Sequence, residues 1–178
     1  MQVFSNHRFS VDLPPGLYEF NVKVPNISGF PSLGTHMRSN IEYLRVNVPA
    51  GARFVGRTVN GGIEASGITA DAEAHTVNGG VKLEATGTAR AETVNGGITV
   101  RLGRADWTGA LKLNTVNGGI EMVMPEGLSA EVKASTVNGD IQTDFPLTVT
   151  GRISRRKLEG TIGSGGRLLD LATVNGGI

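Results

Sequence analysis

The sequence of 178 residues predicts an all-β fold, a parallel β-solenoid of about six coils with an N-terminal β cap. Three observations carry that prediction. The string Thr-Val-Asn-Gly-Gly-Ile, or a close variant, begins at Thr58, Thr76, Thr93, Thr115, Thr136 and Thr173, with spacings of 18, 17, 22, 21 and 37 residues, the last close to two periods. Helical repeats usually need about 33 residues or more per unit, whereas parallel β-solenoids manage with about 20. Between Thr58 and Ile178 no 3.6-residue apolar period is sustained, and Val, Ile and Thr gather around each motif. Finally, eleven of the 26 glycines lie in the six motifs, so the glycine excess marks corners rather than linkers.

The elements follow from phase. Counting the motif threonine as zero, position +5 is Ile63, Val81, Ile98, Ile120, Ile141 and Ile178. Position +7 is Ala65, Leu83, Val100, Met122 and Thr143, and position +9 is Gly67, Ala85, Leu102, Met124 and Phe145. Glu64, Lys82, Thr99, Glu121 and Gln142 at +6 alternate with them, so a strand with one buried face follows each turn. Position −2 (Gly56, Ala74, Ala91, Leu113, Ala134, Leu171) shares its face with the threonine, which argues for an inward threonine. The two apolar sets fall out of phase across Val-Asn-Gly, which implies a corner there, and Asn-Gly tolerates the positive φ of tight turns. Six hairpins are a second way to use such turns. Stacked coils explain better why the same residues recur at one phase, and they align Asn60, Asn78, Asn95, Asn117, Asn138 and Asn175 as a structural amide ladder. Thr161 to Gly166 reads as a decayed copy of the motif inside the double gap.

Residues 1–57 differ in kind and are read as the cap and lead-in, with 58–178 as the solenoid of the same single domain. They hold seven of nine aromatics and five of seven prolines. Arg8 to Leu13 and Tyr18 to Val24 read as short strands split by Pro14-Pro15-Gly16, and Glu42 to Val48 as the lead-in strand. Gly34-Thr35-His36-Met37 reads as a loop or a junction between segments. Residues 1–20 show no secretory signal. Ile178 stands midway through the sixth motif, so the last coil is expected to present an open edge, through truncation or through pairing with another chain.

Composition removes several chemistries. With no cysteine there is no disulfide framework, thiolate zinc site or cysteine nucleophile, and no apolar run reaches the roughly 18 residues of a spanning helix. His7, His36 and His75 lack ligand partners at metal-site spacing, so no metal or cofactor is expected. Gly160 to Arg167 lacks the ending of a phosphate loop. Asp71, Glu73, Glu92 and Asp106 are the carboxylates a polysaccharide-cleaving β-helix would draw on, but each occurs once at its phase. No catalytic residue is assigned and the protein is read as a non-enzyme. Glu64 and Lys82, both at +6, are expected to pair across strands.

Net charge is +1, split as +3 over residues 1–57, −5 over 58–146 and +3 over 147–178. Arg152, Arg155, Arg156 and Lys157 form the one dense basic run; without interleaved aromatics it does not predict nucleic-acid binding. These four residues and Trp107, in the longest coil, are the candidate surface contacts, Trp107 either as a sugar-stacking platform or packed over a coil edge.

The repeats, joined to Leu44-Arg45-Val46-Asn47-Val48-Pro49-Ala50-Gly51, resemble a bacterial adhesin-like family of domains of unknown function that repeats Thr-Val-Asn-Gly-Gly/Asp-Ile. The resemblance covers residues 41–178 and includes the Gly139-Asp140 variant and the glycine-rich stretch Thr161 to Gly166. It implies a right-handed β-helix in a secreted or envelope setting and brings no catalytic residues. The resulting expectation is a non-enzymatic scaffold for surface interaction or self-association, meeting a cell-surface glycan or another protein. Two alternatives stand beside it: an ice-binding type of Thr/Asn array, and a polysaccharide-binding or polysaccharide-cleaving β-helix.

Overall fold

The computed structural model describes residues 51–104, 107, 109–149 and 154–178, and the backbone of 7–12, 20–23 and 43–46. Among them the strands are β1 (His7–Asp12), β2 (Phe20–Lys23), β3 (Tyr43–Val46), β4 (Arg53–Thr58), β5 (Ile63–Ile68), β6 (Ala72–His75), β7 (Val81–Ala85) and β8 (Ala89–Asn95). They continue with β9 (Ile98–Leu102), β10 (Ala110–Asn117), β11 (Ile120–Val123), β12 (Ala130–Ser135), β13 (Thr148–Val149), β14 (Lys157–Ile162) and β15 (Leu168–Ala172). The chain is all-β and solenoid-like. A larger sheet, ordered β1-β4-β6-β8-β10-β15-β12-β14-β13, carries the strands that enter each corner, and a smaller one, β11-β9-β7-β5, carries those that leave it. Among the described residues no helix is long and apolar enough to cross a membrane.

From β4 through β12 in the larger sheet (β4-β6-β8-β10-β15-β12) each strand runs parallel to the next, in a register that stacks residue −2 on its copy: Gly56 on Ala74, Ala74 on Ala91, Ala91 on Leu113, Leu113 on Leu171 and Leu171 on Ala134. In the smaller sheet Ile63, Val81, Ile98 and Ile120 stack in the same way. These two columns face each other across the interior, with Leu83, Val100, Leu102, Leu111 and Leu169 between them. Each such side chain, fully buried, contributes roughly 1.5–3 kcal/mol of transfer free energy.

The spatial order of the corners departs from their order in sequence. The last motif does not form the end of the stack: β15 lies between β10 and β12, bonded in parallel to both. The last motif therefore lies within the stack, Ile178 N–H donating to Asp140 O (3.1 Å) and its carbonyl accepting from Gln142 N–H (2.8 Å), and the expectation that this motif forms the edge of the stack is corrected. The cause is the hairpin β13–β14. It pairs antiparallel along the outer side of β12, so the following strand can only return on β12's inner side. The connection passes over the start of β12, where Ser164 N–H donates to Ser129 Oγ (3.2 Å). Gly163, Gly165 and Gly166 take φ of +58°, +75° and +102° there, a conformation that side chains resist. Thr161 to Gly166 is thus the end of β14 and this crossing, rather than a decayed corner.

Antiparallel strands close both ends of the larger sheet, β1 against β4 and β14–β13 against β12. Such strands stop parallel coils from propagating onto another chain. Tyr43–Val46, expected as the lead-in, pairs instead with β2 in a separate two-stranded sheet, and Arg53–Thr58 is the strand that leads into the first corner. The strand expected after the Thr136 corner is also absent: residues 141–147 have no regular pairing, although Ile141 and Phe145 still lean on the core.

Candidate functional site

The repeated corner builds one continuous face. In Thr-Val-Asn-Gly the pleat sends the threonine inward and the valine outward before the chain bends. All six threonines are buried, at 4–7% exposure. Thr76, Thr93, Thr115, Thr173 and Thr136 donate their hydroxyls to Gly61, Gly79, Gly96, Gly118 and Gly176 O of the adjoining level, at 2.8–2.9 Å. A threonine array on the surface is thereby corrected; these five hydroxyls are used inside as clamps between levels.

The asparagines form a ladder on the exposed side. Asn78 Nδ2 donates to Asn60 Oδ1 (2.9 Å), Asn95 to Asn78 (2.8 Å), Asn117 to Asn95 (2.8 Å), Asn175 to Asn117 (2.7 Å) and Asn138 to Asn175 (2.8 Å). The bonds all point the same way, so each amide polarises the next. Each interior asparagine spends one N–H and one lone pair on the ladder and keeps one N–H and one lone pair for a partner.

What sequence reasoning missed is the column beside the ladder. Val59, Val77, Val94, Val116, Val174 and Val137 are 37–55% exposed, side by side in the order of the stack. At about 4.8 Å per level the two columns run for about 24 Å. The signal was present: an invariant apolar residue between an inward threonine and a corner can only face solvent.

The glycines keep the levels this close. A Cβ at the first glycine of a motif would lie 2.2 Å from the neighbouring carbonyl at Gly96 and 2.1 Å at Gly118, whereas at the second, Gly119, it would be 3.3 Å away. The second position therefore admits Asp140. None of the asparagines adopts positive φ, so the corner is shaped by close stacking rather than by the tight turn expected from Asn-Gly.

The remaining candidates are placed as follows. Trp107 is 2% exposed and part of the core, so its reading as a surface contact is corrected: the long coil folds the indole inward. Arg167 covers it, with its guanidinium 5.7 Å from the ring centroid and Nε donating to Trp107 O (2.9 Å). Arg155 and Arg156 are exposed on the turn before β14 and Lys157 is exposed as its first residue, and the carbonyls of Arg156 and Arg155 cap Thr136 and Ile141 N–H, at 2.9 and 3.1 Å. Arg152, Asp106 and His36 lie outside the described residues, as does the His7 side chain. Glu64 and Lys82 pair at 3.1 Å on the surface.

Glu73 and Glu92, two of the candidate acids, do meet, but within an ion-pair network. Glu73 contacts Arg53 (2.8 Å), Arg57 (3.0 Å) and His75 Nε2 (2.7 Å), and His75 Nδ1 faces Glu92 at 3.2 Å. The hydrogen bond from His75, then the charges of His75, Arg57 and Arg53, hold the Glu73 carboxyl below the ordinary glutamate value of 4.5 against the opposing effect of burial. Asp71 sits apart, accepting Thr88 N–H at 2.8 Å. Among the described residues no group of three or more His, Asp or Glu is arranged to hold a metal ion.

No curated protein and no solved structure matches the chain. The family comparison does match, across residues 39–178 and so across the corners, both main sheets and the crossing connection. By that match the chain belongs to the Toastrack DUF4097 family, a domain of unknown function.

Proposed function

We propose that the domain is a non-enzymatic interaction scaffold of the cell envelope, and that its Val–Asn face binds a cell-surface glycan. The observation that carries this reading is the pairing of six exposed valines with six laddered asparagines. At each interior level the face offers an isopropyl group, one free amide N–H and one free amide lone pair, with no formal charge. A polyhydroxylated polymer matches that chemistry: hydroxyls meet the amides and C–H faces meet the valines. The envelope setting rests on the resemblance to adhesin-like domains.

A glycan and cell-wall binding array tests the reading. The native chain is expected to bind a subset of glycans, and Val94→Glu/Val116→Glu to lose at least about tenfold in affinity with its melting temperature nearly unchanged. Binding that ignores these substitutions would overturn the assignment, and reducing-end release from the same panel would overturn the non-enzyme reading. A regular apolar column is also self-complementary. Concentration-dependent mass by light scattering, abolished by the same substitutions and without glycan binding, would assign the face to self-association instead.

A further inference from the structure

The Val–Asn face carries a third column. Beyond the amide ladder the second glycine of the motif is exposed at Gly62, Gly80, Gly97, Gly119 and Gly177, and only at the Asn138 level does another residue, Asp140, replace it. No positive φ requires glycine at these five positions. A Cβ would meet the neighbouring level at 3.2 Å (Gly62) to 3.5 Å (Gly97), a contact that Asp140 shows to be tolerable. Glycine at five successive levels thus leaves a strip bare of side chains beside the asparagines. The N–H and lone pair that each interior asparagine keeps are unshielded on that side.

Three properties define what lies along this face. Its levels repeat at about 4.8 Å, a distance fixed by strand stacking. Every level offers the same set in the same order: an exposed valine, an amide and a bare glycine. From the Asn60 level to the Asn175 level none of the three columns bears a formal charge. A ligand that uses every level must repeat at nearly that distance, be uncharged, and present a C–H face with hydroxyls at its rim in each repeat. A β-1,4-linked chain of glucose-type rings does so. Its equatorial linkages keep it extended, and each ring advances by nearly the height of one level. All its ring hydroxyls lie at the rim and both ring faces are C–H surfaces, so the turning over of alternate rings preserves both kinds of contact. An α-1,4-linked chain of the same rings coils and leaves the register within a few rings.

We infer that the face binds a neutral, extended β-1,4-linked glycan laid along the stack, one ring per level, over the five levels that keep the bare glycine. Ring faces rest on the valines, and rim hydroxyls exchange hydrogen bonds with the asparagine amides. This ligand class rests on the glycan reading of the Val–Asn face, to which it adds linkage, direction and length.

The test titrates the native chain by calorimetry with β-1,4-linked oligomers of glucose and of N-acetylglucosamine, from two rings to about eight, and with α-1,4-linked glucose oligomers of the same lengths. In at least one β-series, affinity is expected to rise about twofold to tenfold with each ring up to about five, the yield of roughly one net hydrogen bond per level, and then to level off. The α-series is expected to gain nothing with length. Gly97→Leu sets a side chain without hydrogen-bonding groups into the middle of the strip and leaves two bare levels on either side, Gly62 and Gly80, and Gly119 and Gly177. In that variant the rise is expected to stop at about two rings while the melting temperature is kept. Glycan binding on the array without a length dependence in either β-series, or with an equal rise in the α-series, would overturn the one-ring-per-level register alone. Binding of no glycan on the array would overturn the reading of the face, and this ligand with it.

Discussion

At the residue scale, two glycines that look equivalent in the motif carry different constraints. The first must be glycine because the neighbouring level's carbonyl occupies the space of a side chain, whereas the second faces an ordinary contact. Gly118→Ala is therefore expected to destabilise by about 3 kcal/mol or more, since the clash is with backbone on a packed neighbour. Gly119→Ala is expected to cost less than about 1 kcal/mol; urea unfolding of both variants checks the contrast. The Gly-Asp variant at Gly139-Asp140 made the looser position visible in the sequence, but the strictness of the first one depends on inter-level spacing. Glu73 gives a pH signature. Its carboxyl is held below 4.5 in the folded chain, so its contribution is complete above the unfolded value and is lost as pH falls through the folded one. Glu73→Gln should cost up to about 1 kcal/mol at neutral pH, as expected for a largely surface network, and the gap to the native chain should close in acid.

At the element scale, strand positions were legible wherever period-2 alternation and a neighbouring level coincide. Val81–Ala85 and Ile98–Leu102 meet both conditions and form β7 and β9. Ile141 to Phe145 has the same apolar phase but no regular backbone pairing, and it forms no strand. Alternation specifies which face a strand would bury; pairing decides whether it forms. Tyr43–Val46 shows the same limit, because its sequence suits the stack while its partner is β2. The amide ladder belongs to this scale as well. Asn95 bonds to asparagines on both sides and Asn60 to one, so Asn95→Ala should cost about 1–2 kcal/mol and Asn60→Ala about half of that. Equal costs in thermal unfolding would show that the amides do not act in series.

At the scale of the whole molecule, repeat, period and inward phase were readable from the sequence, and they led to parallel stacked levels. The order of those levels was not. Near-identical motifs carry no label for their neighbours, so the 37-residue gap before Thr173 read as a lost copy, when it encodes the hairpin β13–β14 and the crossing over β12. The Val–Asn face depends on this order. It places Val174 and Asn175 between the fourth and fifth motifs of the sequence, making the columns continuous. The Trp107 side chain was misplaced for a related reason, since a long coil can fold its insertion inward as easily as outward.

Cysteine pairs measure the order directly, because the chain has no cysteine of its own. Residues on adjacent levels lie about 4.8 Å apart, within disulfide reach of about 4.4–6.8 Å, and residues two levels apart do not. Val116→Cys/Val174→Cys and Val137→Cys/Val174→Cys are expected to oxidise to intramolecular disulfides in the folded chain, and Val116→Cys/Val137→Cys to remain reduced under the same conditions. Ready cross-linking of positions 116 and 137, with none between 116 and 174, would restore the order of the sequence and contradict the stacking on which the face rests.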